Sequence, residues 1–407
     1  MFDKITPGAS HSLGWEVVLT GLSFPASILL NRALGAEDRG LLGLVILVPS
    51  TMFVLATCQW DRLLKGLMTS KQISGREAWH RTIRYLWWLS FIFIPLGMLA
   101  SWFYPSISQE NRWLSVVYCL NFPLFFISGT LSAIYIASGS VEGQYSVRVG
   151  LQGSYLVLIF FLFLFLEISV ESMVGIYFLI QVFAIGSGWT KKKKLIQGPI
   201  KNFQSPFSPL IRGFLPNALE SFSGKIDVWA FSLFSTLTTL GHYFGITALM
   251  IPVALVSNAL TSGSTANLEW TEYAHVRRYL FRTVGVLLSL SIVMILGGSL
   301  LGGFLLSILG KSFQGAEWLV PWVVLLLVCQ AAAQQFHSAL QFSGLQAFYL
   351  TTQSLDPFLR LVLVLVFGWL FAEVGIFIGM IMSSLIKVGV CGWLFRRYHP
   401  QHDFRRN

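Results

Sequence analysis

The stretch 283–310, TVGVLLSLSIVMILGGSLLGGFLLSILG, runs for 28 residues without an Asp, Glu, Lys or Arg. About 20 mostly apolar residues suffice for a helix to cross the roughly 30 Å hydrocarbon core of a bilayer, so this stretch reads as a membrane span. Four other uncharged windows meet the same requirement: Tyr85–Gln109, Trp113–Val141, Val149–Leu166 and Ser172–Thr190. Weaker spans are read at 12–30, 41–59, 213–235, 243–265, 318–340, 355–372 and 374–395. The chain is therefore expected to be an all-α, polytopic membrane protein of about 12 transmembrane helices. Its composition agrees, since 55% of the 407 residues are hydrophobic and 11% are charged, against roughly 25% charged in soluble domains.

Charge tests the count. With successive gaps assigned to alternate sides, 21 of the 28 Lys and Arg residues fall on one side, most of them at 62–84, 191–212, 277–282 and 396–406. The other side holds Arg32, Arg39, Arg112 and Lys311, while Lys225, Arg360 and Lys387 stay inside spans. The positive-inside rule then makes both termini cytoplasmic in a cytoplasmic (inner) cell membrane. The formal charge of +10 is thus read as an orientation label, and no nucleic-acid partner is expected.

The N-terminus lacks a basic segment, compact apolar core and small-residue cleavage site in sequence, so no cleaved signal peptide is expected. Cys58, Cys119, Cys329 and Cys391 show no paired or metal-ligand spacing and read as small core residues. No phosphate-cradling glycine loop and no nucleophile elbow occurs, which argues against ATP hydrolysis by this chain.

A Lys- and Pro-bearing segment near the midpoint divides the chain into an N-terminal six-helix lobe (1–190), a cytoplasmic linker (191–212) and a C-terminal six-helix lobe with a short cytoplasmic tail (213–407). Displacing the sequence by about half its length sets Gly40 on Gly241. Six spans per half would make the lobes parallel repeats related by a pseudo-two-fold axis.

Several spans carry polar stripes at helical spacing. Glu16, Thr20, Ser23, Ser27 and Asn31 share a face of span one; Asn121, Ser128, Ser132 and Tyr135 share one of span four. Asn217, Glu220, Gly224 and Asp227 do so on span seven, and Gln330, Gln334, His337 and Gln341 on span ten. Such stripes either line a hydrophilic cavity or hydrogen-bond helix to helix. Glu16, Glu220, Lys225, Asp227, Arg360 and Lys387 are sharper, because a charge at a helix centre costs roughly 2.5–3.5 kcal/mol on insertion scales. Mutual pairing would neutralise them, and snorkelling would serve Glu16 and Arg360 near span ends. On an ideal helix Lys225 and Asp227 point about 200° apart, so Pro216 and Gly224 are expected to bend or unwind span seven if both serve one cavity.

Leu34-Gly35-Ala36-Glu37-Asp38-Arg39-Gly40 resembles the loop after span one in the polysaccharide transporter and O-antigen flippase branch of the multidrug/oligosaccharidyl-lipid/polysaccharide exporter superfamily. Asp227 followed by Leu240-Gly241-His242-Tyr243, then Leu309-Gly310-Lys311-Ser312-Phe313-Gln314-Gly315-Ala316 and Gly344, resemble that branch's motifs in the same order. The resemblance implies two six-helix lobes around a cavity that opens alternately to either side. It also implies a polyprenyl-diphosphate-linked oligosaccharide as cargo, with lipopolysaccharide or related glycan synthesis as setting and glycan polymerase machinery and membrane lipids as partners. Lys225, Lys387 and Arg360 then become candidates for the diphosphate, and Asn217, Gln330 and Gln334 for sugar. Glu16, Glu220 and Asp227 become candidate coupling acids for H+ or Na+, with no cofactor, metal or catalytic residue expected. The chain has no room for the two additional helices of the lipid II flippase branch.

Two other classes compete. A multidrug antiporter would share the fold and also use intramembrane carboxylates. A glycan polymerase or ligase would need a sizeable external loop, whereas the longest external gaps, 31–40 and 105–113, hold about ten residues.

Overall fold

The computed structural model describes residues 7–57, 60, 64, 67–68, 73–138, 140–190, 219, 222–251 and 273–398. Among them lie eleven α-helices, short 3-10 turns and no strand. In chain order the helices are α1 (Pro7–Thr57), α2 (Gly75–Phe103), α3 (Arg112–Tyr118), α4 (Phe122–Ala137), α5 (Val141–Phe165) and α6 (Val170–Trp189). Then come α7 (Ile226–Phe234), α8 (Leu237–Leu249), α9 (Tyr273–Leu309), α10 (Leu319–Phe342) and α11 (Gln346–Tyr398). Eight described helices are long and apolar enough to cross a bilayer.

Two of these are double-length: α1 has 51 residues and α11 has 53, and non-helical backbone breaks each one, so each carries two of the expected spans. The described parts of spans seven and eight are α7 and α8, with 9 and 13 residues. The 191–212 linker, Asn217, Glu220 and Cys58 lie outside the described residues.

The break in α1 corrects one sequence expectation. In place of an external loop over 31–40, the helix yields only at Gly35, whose φ of 74° and ψ of 178° suit a residue without a Cβ. The two arms are then tied across the bend. Buried Asn31 donates to the Ser27 carbonyl at 2.7 Å and accepts from Arg39 Nε at 3.1 Å.

The break in α11 falls at Phe371 and Ala372, where spans eleven and twelve were expected to meet, but its first arm begins earlier than the sequence suggested. Thr351, Thr352 and Ser354 had read as part of a polar gap. Their hydroxyls instead bond the carbonyls of Ala347, Phe348 and Leu350 one turn back, at 2.9, 2.9 and 3.0 Å, and the helix continues through them. Starting the arm at Gln346 places Arg360 about 21 Å from its N-terminal end.

Past the break the chain turns back on itself. A Cβ on Gly379 would lie 2.7 Å from Val364 Cα, and one on Gly375 would meet the Phe367 carbonyl, so two glycines four apart let the arms touch backbone to backbone. Gly375, Gly379 and Ser383 share one helical face, and Ser383 donates to Asp356 at 3.3 Å. Ala372 holds φ 49° in the turn, a conformation that glycine adopts without strain. Ala372→Gly is expected to stabilise the protein by about 1 kcal/mol, read as a higher thermal midpoint in detergent; an equal or lower midpoint would count against strain at this turn.

The chain divides into two compact units, Gly21–Lys225, and Ile226–Asn407 with Met1–Thr20. The core of the first includes Phe53, Tyr118, Phe122 and Phe126, with Phe53 5.9 Å from the Tyr118 ring and 5.4 Å from that of Phe122. In the second, Phe231, Phe313 and Phe377 are fully buried. Element order recurs between the halves: two helices across a short break, a long helix, a 3-10 turn at 109–111 or 311–313, and three further spans.

Candidate functional site

The charged residues of the C-terminal unit converge on the first arm of α11. Gly368 packs so closely on Phe234 that a Cβ there would lie 2.8 Å from the Phe234 ring, and the Ser235 hydroxyl donates to Glu373 at 3.4 Å. Asp227 lies seven residues before Phe234 on α7, and Arg360 eight before Gly368 on the arm.

Tyr243, on α8, donates to Asp227 Oδ2 at 2.5 Å, and Arg360 is near enough to act electrostatically on its hydroxyl. The bond sits against a dry aromatic wall. Phe231 stacks on Tyr243 at 4.8 Å, Phe377 lies 5.5 Å from Phe231, and Trp322 of α10 follows at 6.2 Å from Phe377. Asp227 Oδ1 is buried and has no hydrogen-bond partner among the described residues.

One turn before Arg360 is Asp356, the residue that the sequence reading missed although it fell within the expected span eleven. Lys387 Nζ lies 2.9 Å from its Oδ2, and the two side chains are 13% and 8% exposed. Lys387, a candidate cation for the diphosphate, is thus ion-paired, as mutual pairing of the intramembrane charges would have it. The formal charges of Asp227, Arg360, Asp356 and Lys387 cancel, and Lys387–Asp356 is an ion pair within this set.

Of the other candidates, Lys225 lies in the turn at Gly224–Lys225 just before α7, where the helix is interrupted, and its amide bonds the Phe222 carbonyl at 2.8 Å. Glu16 is partly exposed on α1. On α10, Gln334 and Gln341 are exposed and Gln330 partly so, whereas His337 is buried, bonding the Tyr349 carbonyl at 3.2 Å. Gln335, about 100° round the helix from Gln334, accepts from Tyr279 at 2.8 Å.

Two residues of the polar stripe on span four, Ser128 and Tyr135, bond helix to helix. Ser128 donates to Gln181 at 2.6 Å, Tyr135 reaches the Gly188 carbonyl at 2.5 Å, and Ser187 donates to the Ser146 carbonyl at 2.9 Å, joining α4, α5 and α6. Among the described residues no three His, Cys, Asp or Glu side chains gather as metal ligands.

No protein-family profile and no curated protein matches the chain. Solved structures do. One, the lipid II flippase MurJ in an inward closed conformation, has a TM-score of 0.70 at 12% identity, covering 96% of this chain and 88% of its own. An inward-facing multidrug resistance MATE family transporter of the MOP superfamily has a TM-score of 0.63 at 14% identity, with 92% and 94% covered. An outward-facing MATE structure has a TM-score of 0.61 at 16% identity, with 97% and 100% covered. The fold is the one these MOP-superfamily transporters share, over nearly the whole chain.

Proposed function

We propose that the protein is a flippase that carries a polyprenyl-diphosphate-linked oligosaccharide, an O-antigen or similar glycan unit, across the cytoplasmic membrane by alternating access. The charge-balanced set of Asp227, Arg360, Asp356 and Lys387 carries this reading. Arg360 is the cation of this set placed to draw the diphosphate, and Asp227, held by Tyr243 through Oδ2 with Oδ1 unbonded among the described residues, is the acid placed for coupling to H+ or Na+. The amides of Gln330 and Gln334 both donate and accept, as sugar hydroxyls do. Lys225, at the unwound turn, supplies a second cation for the diphosphate, and Glu16 and Glu220 are further acids for coupling to H+ or Na+. The cytoplasmic placement of both termini, the two-lobe repeat and a link to glycan polymerase machinery belong to this proposal.

Multidrug antiport is the second reading, favoured by the unbonded Asp227 Oδ1, which could receive a cation. The fixed cations of the same set oppose it. Enzymatic glycan transfer gains nothing from α1, where one glycine replaces the expected ten-residue external loop.

The test is flipping of a fluorescent lipid-linked oligosaccharide by purified protein in liposomes. Arg360→Gln is expected to slow flipping at least about ten-fold, the equivalent of one charge-assisted contact, and Arg360→Lys to recover part of the rate. Asp227→Asn is expected to uncouple flipping from an imposed H+ or Na+ gradient. Normal flipping by Arg360→Gln, or efflux of cationic drugs in place of glycan flipping, would overturn the assignment.

A further inference from the structure

In the orientation proposed above, the cytoplasmic-side end of the C-terminal unit carries a cationic cluster outside the charged set of α7 and α11. The 37 residues of α9 measure about 55 Å, far more than a bilayer core. Its uncharged part begins after Arg282, so Arg277, Arg278 and Arg282 lie where the helix leaves hydrocarbon. Two neighbours place that boundary at the same level: residue 340 on α10 and residue 393 on the second arm of α11 each stand about 30 Å along their helices from the opposite end of the span. Val276 and Leu280 pack with Leu340, Leu394 and Phe395 in one core, and the Tyr273 ring stacks on Phe395 at 5.4 Å. Trp393, at this level, lies beneath the Arg397 guanidinium at 5.2 Å, the amphipathic pairing common at a headgroup boundary.

One face of α9 is buried, with Val276, Leu280, Thr283 and Leu287, and the other is open along its length. The open face has two zones. Above stand the three exposed arginines, with Arg277 5.7 Å over the Phe281 ring and a recess of about 510 Å³ lined by Tyr273, Arg277, Arg278, Phe281 and Arg282. Below runs an apolar strip through Leu288, Ile292, Leu296 and Leu300, each more than half exposed. A cationic cluster on a headgroup-depth rim, continuous with an apolar groove-length strip, matches an amphiphile with a phosphate head and acyl tail. A free anion would have no use for the strip.

We propose that Arg277, Arg278 and Arg282, with Phe281 and the strip below them, bind an anionic phospholipid of the cytoplasmic leaflet. Arginine suits the role because its planar fork bonds phosphate oxygens in pairs while its stem lies on apolar surface. The site differs from the charged set of α7 and α11, and its test contains no glycan cargo, so failure here and failure of the transport reading are separate results.

The test is native mass spectrometry of the purified full-length protein titrated with phosphatidylglycerol or with phosphatidylcholine of the same acyl chains. Phosphatidylglycerol is expected to bind preferentially. Arg277→Gln/Arg278→Gln/Arg282→Gln should weaken it by about five-fold per arginine, roughly 100-fold together, while the triple Lys variant keeps most of the affinity. Inorganic phosphate should fail to displace the lipid. Equal binding of the two lipids by the wild type, or unchanged phosphatidylglycerol binding by the triple Gln variant, overturns the proposal; displacement by inorganic phosphate overturns it in favour of a free-anion site. Should the triple variant not stay monodisperse, the single Arg282→Gln change and the wild-type lipid preference decide the question.

Discussion

Lys387→Met is expected to remove most of the folded protein from the membrane. Lys387 and Asp356 are 2.9 Å apart and nearly buried, so losing the ammonium leaves a carboxylate within the hairpin with the Ser383 hydroxyl as its hydrogen-bond partner among the described residues. Breaking one side of a buried pair costs about 3–5 kcal/mol, a large share of the stability of a typical domain. The double change Asp356→Asn/Lys387→Met removes both charges and is expected to regain most of the lost protein, since an uncharged pair of similar volume has no desolvation cost to offset. Fluorescence-detected size-exclusion of a tagged chain measures both. If Lys387→Met alone gives a wild-type monodisperse peak and loses only flipping, Lys387 belongs to the cargo site and the structural assignment fails.

Gly379→Leu is expected to have an effect of similar size for a steric reason. Any side chain at this position meets Val364 Cα and the Leu363 carbonyl carbon at 2.7–2.8 Å, and these are backbone atoms that cannot rotate away. The arms must separate, which forfeits their packing at a cost of about 3 kcal/mol or more and pulls Asp356 away from Lys387. Gly389, on the same arm, has nothing within 4 Å of its Cβ position, so Gly389→Ala should behave as the wild type. Equal thermal midpoints for the Gly379 and Gly389 variants would show that the close approach does not stabilise the hairpin.

Hydropathy made most of the fold legible, because a bilayer leaves few alternatives to a long apolar helix. The windows at 85–109, 172–190 and 283–310 overlie α2, α6 and α9 closely. Hydropathy failed where polar residues serve the backbone: Thr351, Thr352 and Ser354 satisfy carbonyls inside α11, and reading them as a gap started the arm too late. It also failed at Gly35, where conformational freedom permits a bend without a loop. For the charged residues, the list of those inside spans omitted Asp356, and pairing them needed the register between helices. Nothing in the local sequence joins Asp356 to Lys387, and Asp356 was passed over although it lay within the span read at 355–372. The Asp227–Tyr243 bond likewise depends on how α7 and α8 pack, although both residues had been singled out.

The paired charges on the two arms of α11 bear on how the chain is made. Each arm alone presents the insertion machinery with a segment that holds an ionised group at depth, Asp356 and Arg360 on the first and Lys387 on the second, at roughly 2.5–3.5 kcal/mol for each group near a helix centre. A turn of two non-helical residues lets the second arm fold back directly, setting Lys387 opposite Asp356 before either must face lipid unaccompanied. The hairpin, and not the single helix, is then the unit that leaves the translocon. Glycosylation mapping of truncated nascent chains is expected to show the first arm inserting poorly until the chain extends past Lys387, and Lys387→Met should abolish that rescue.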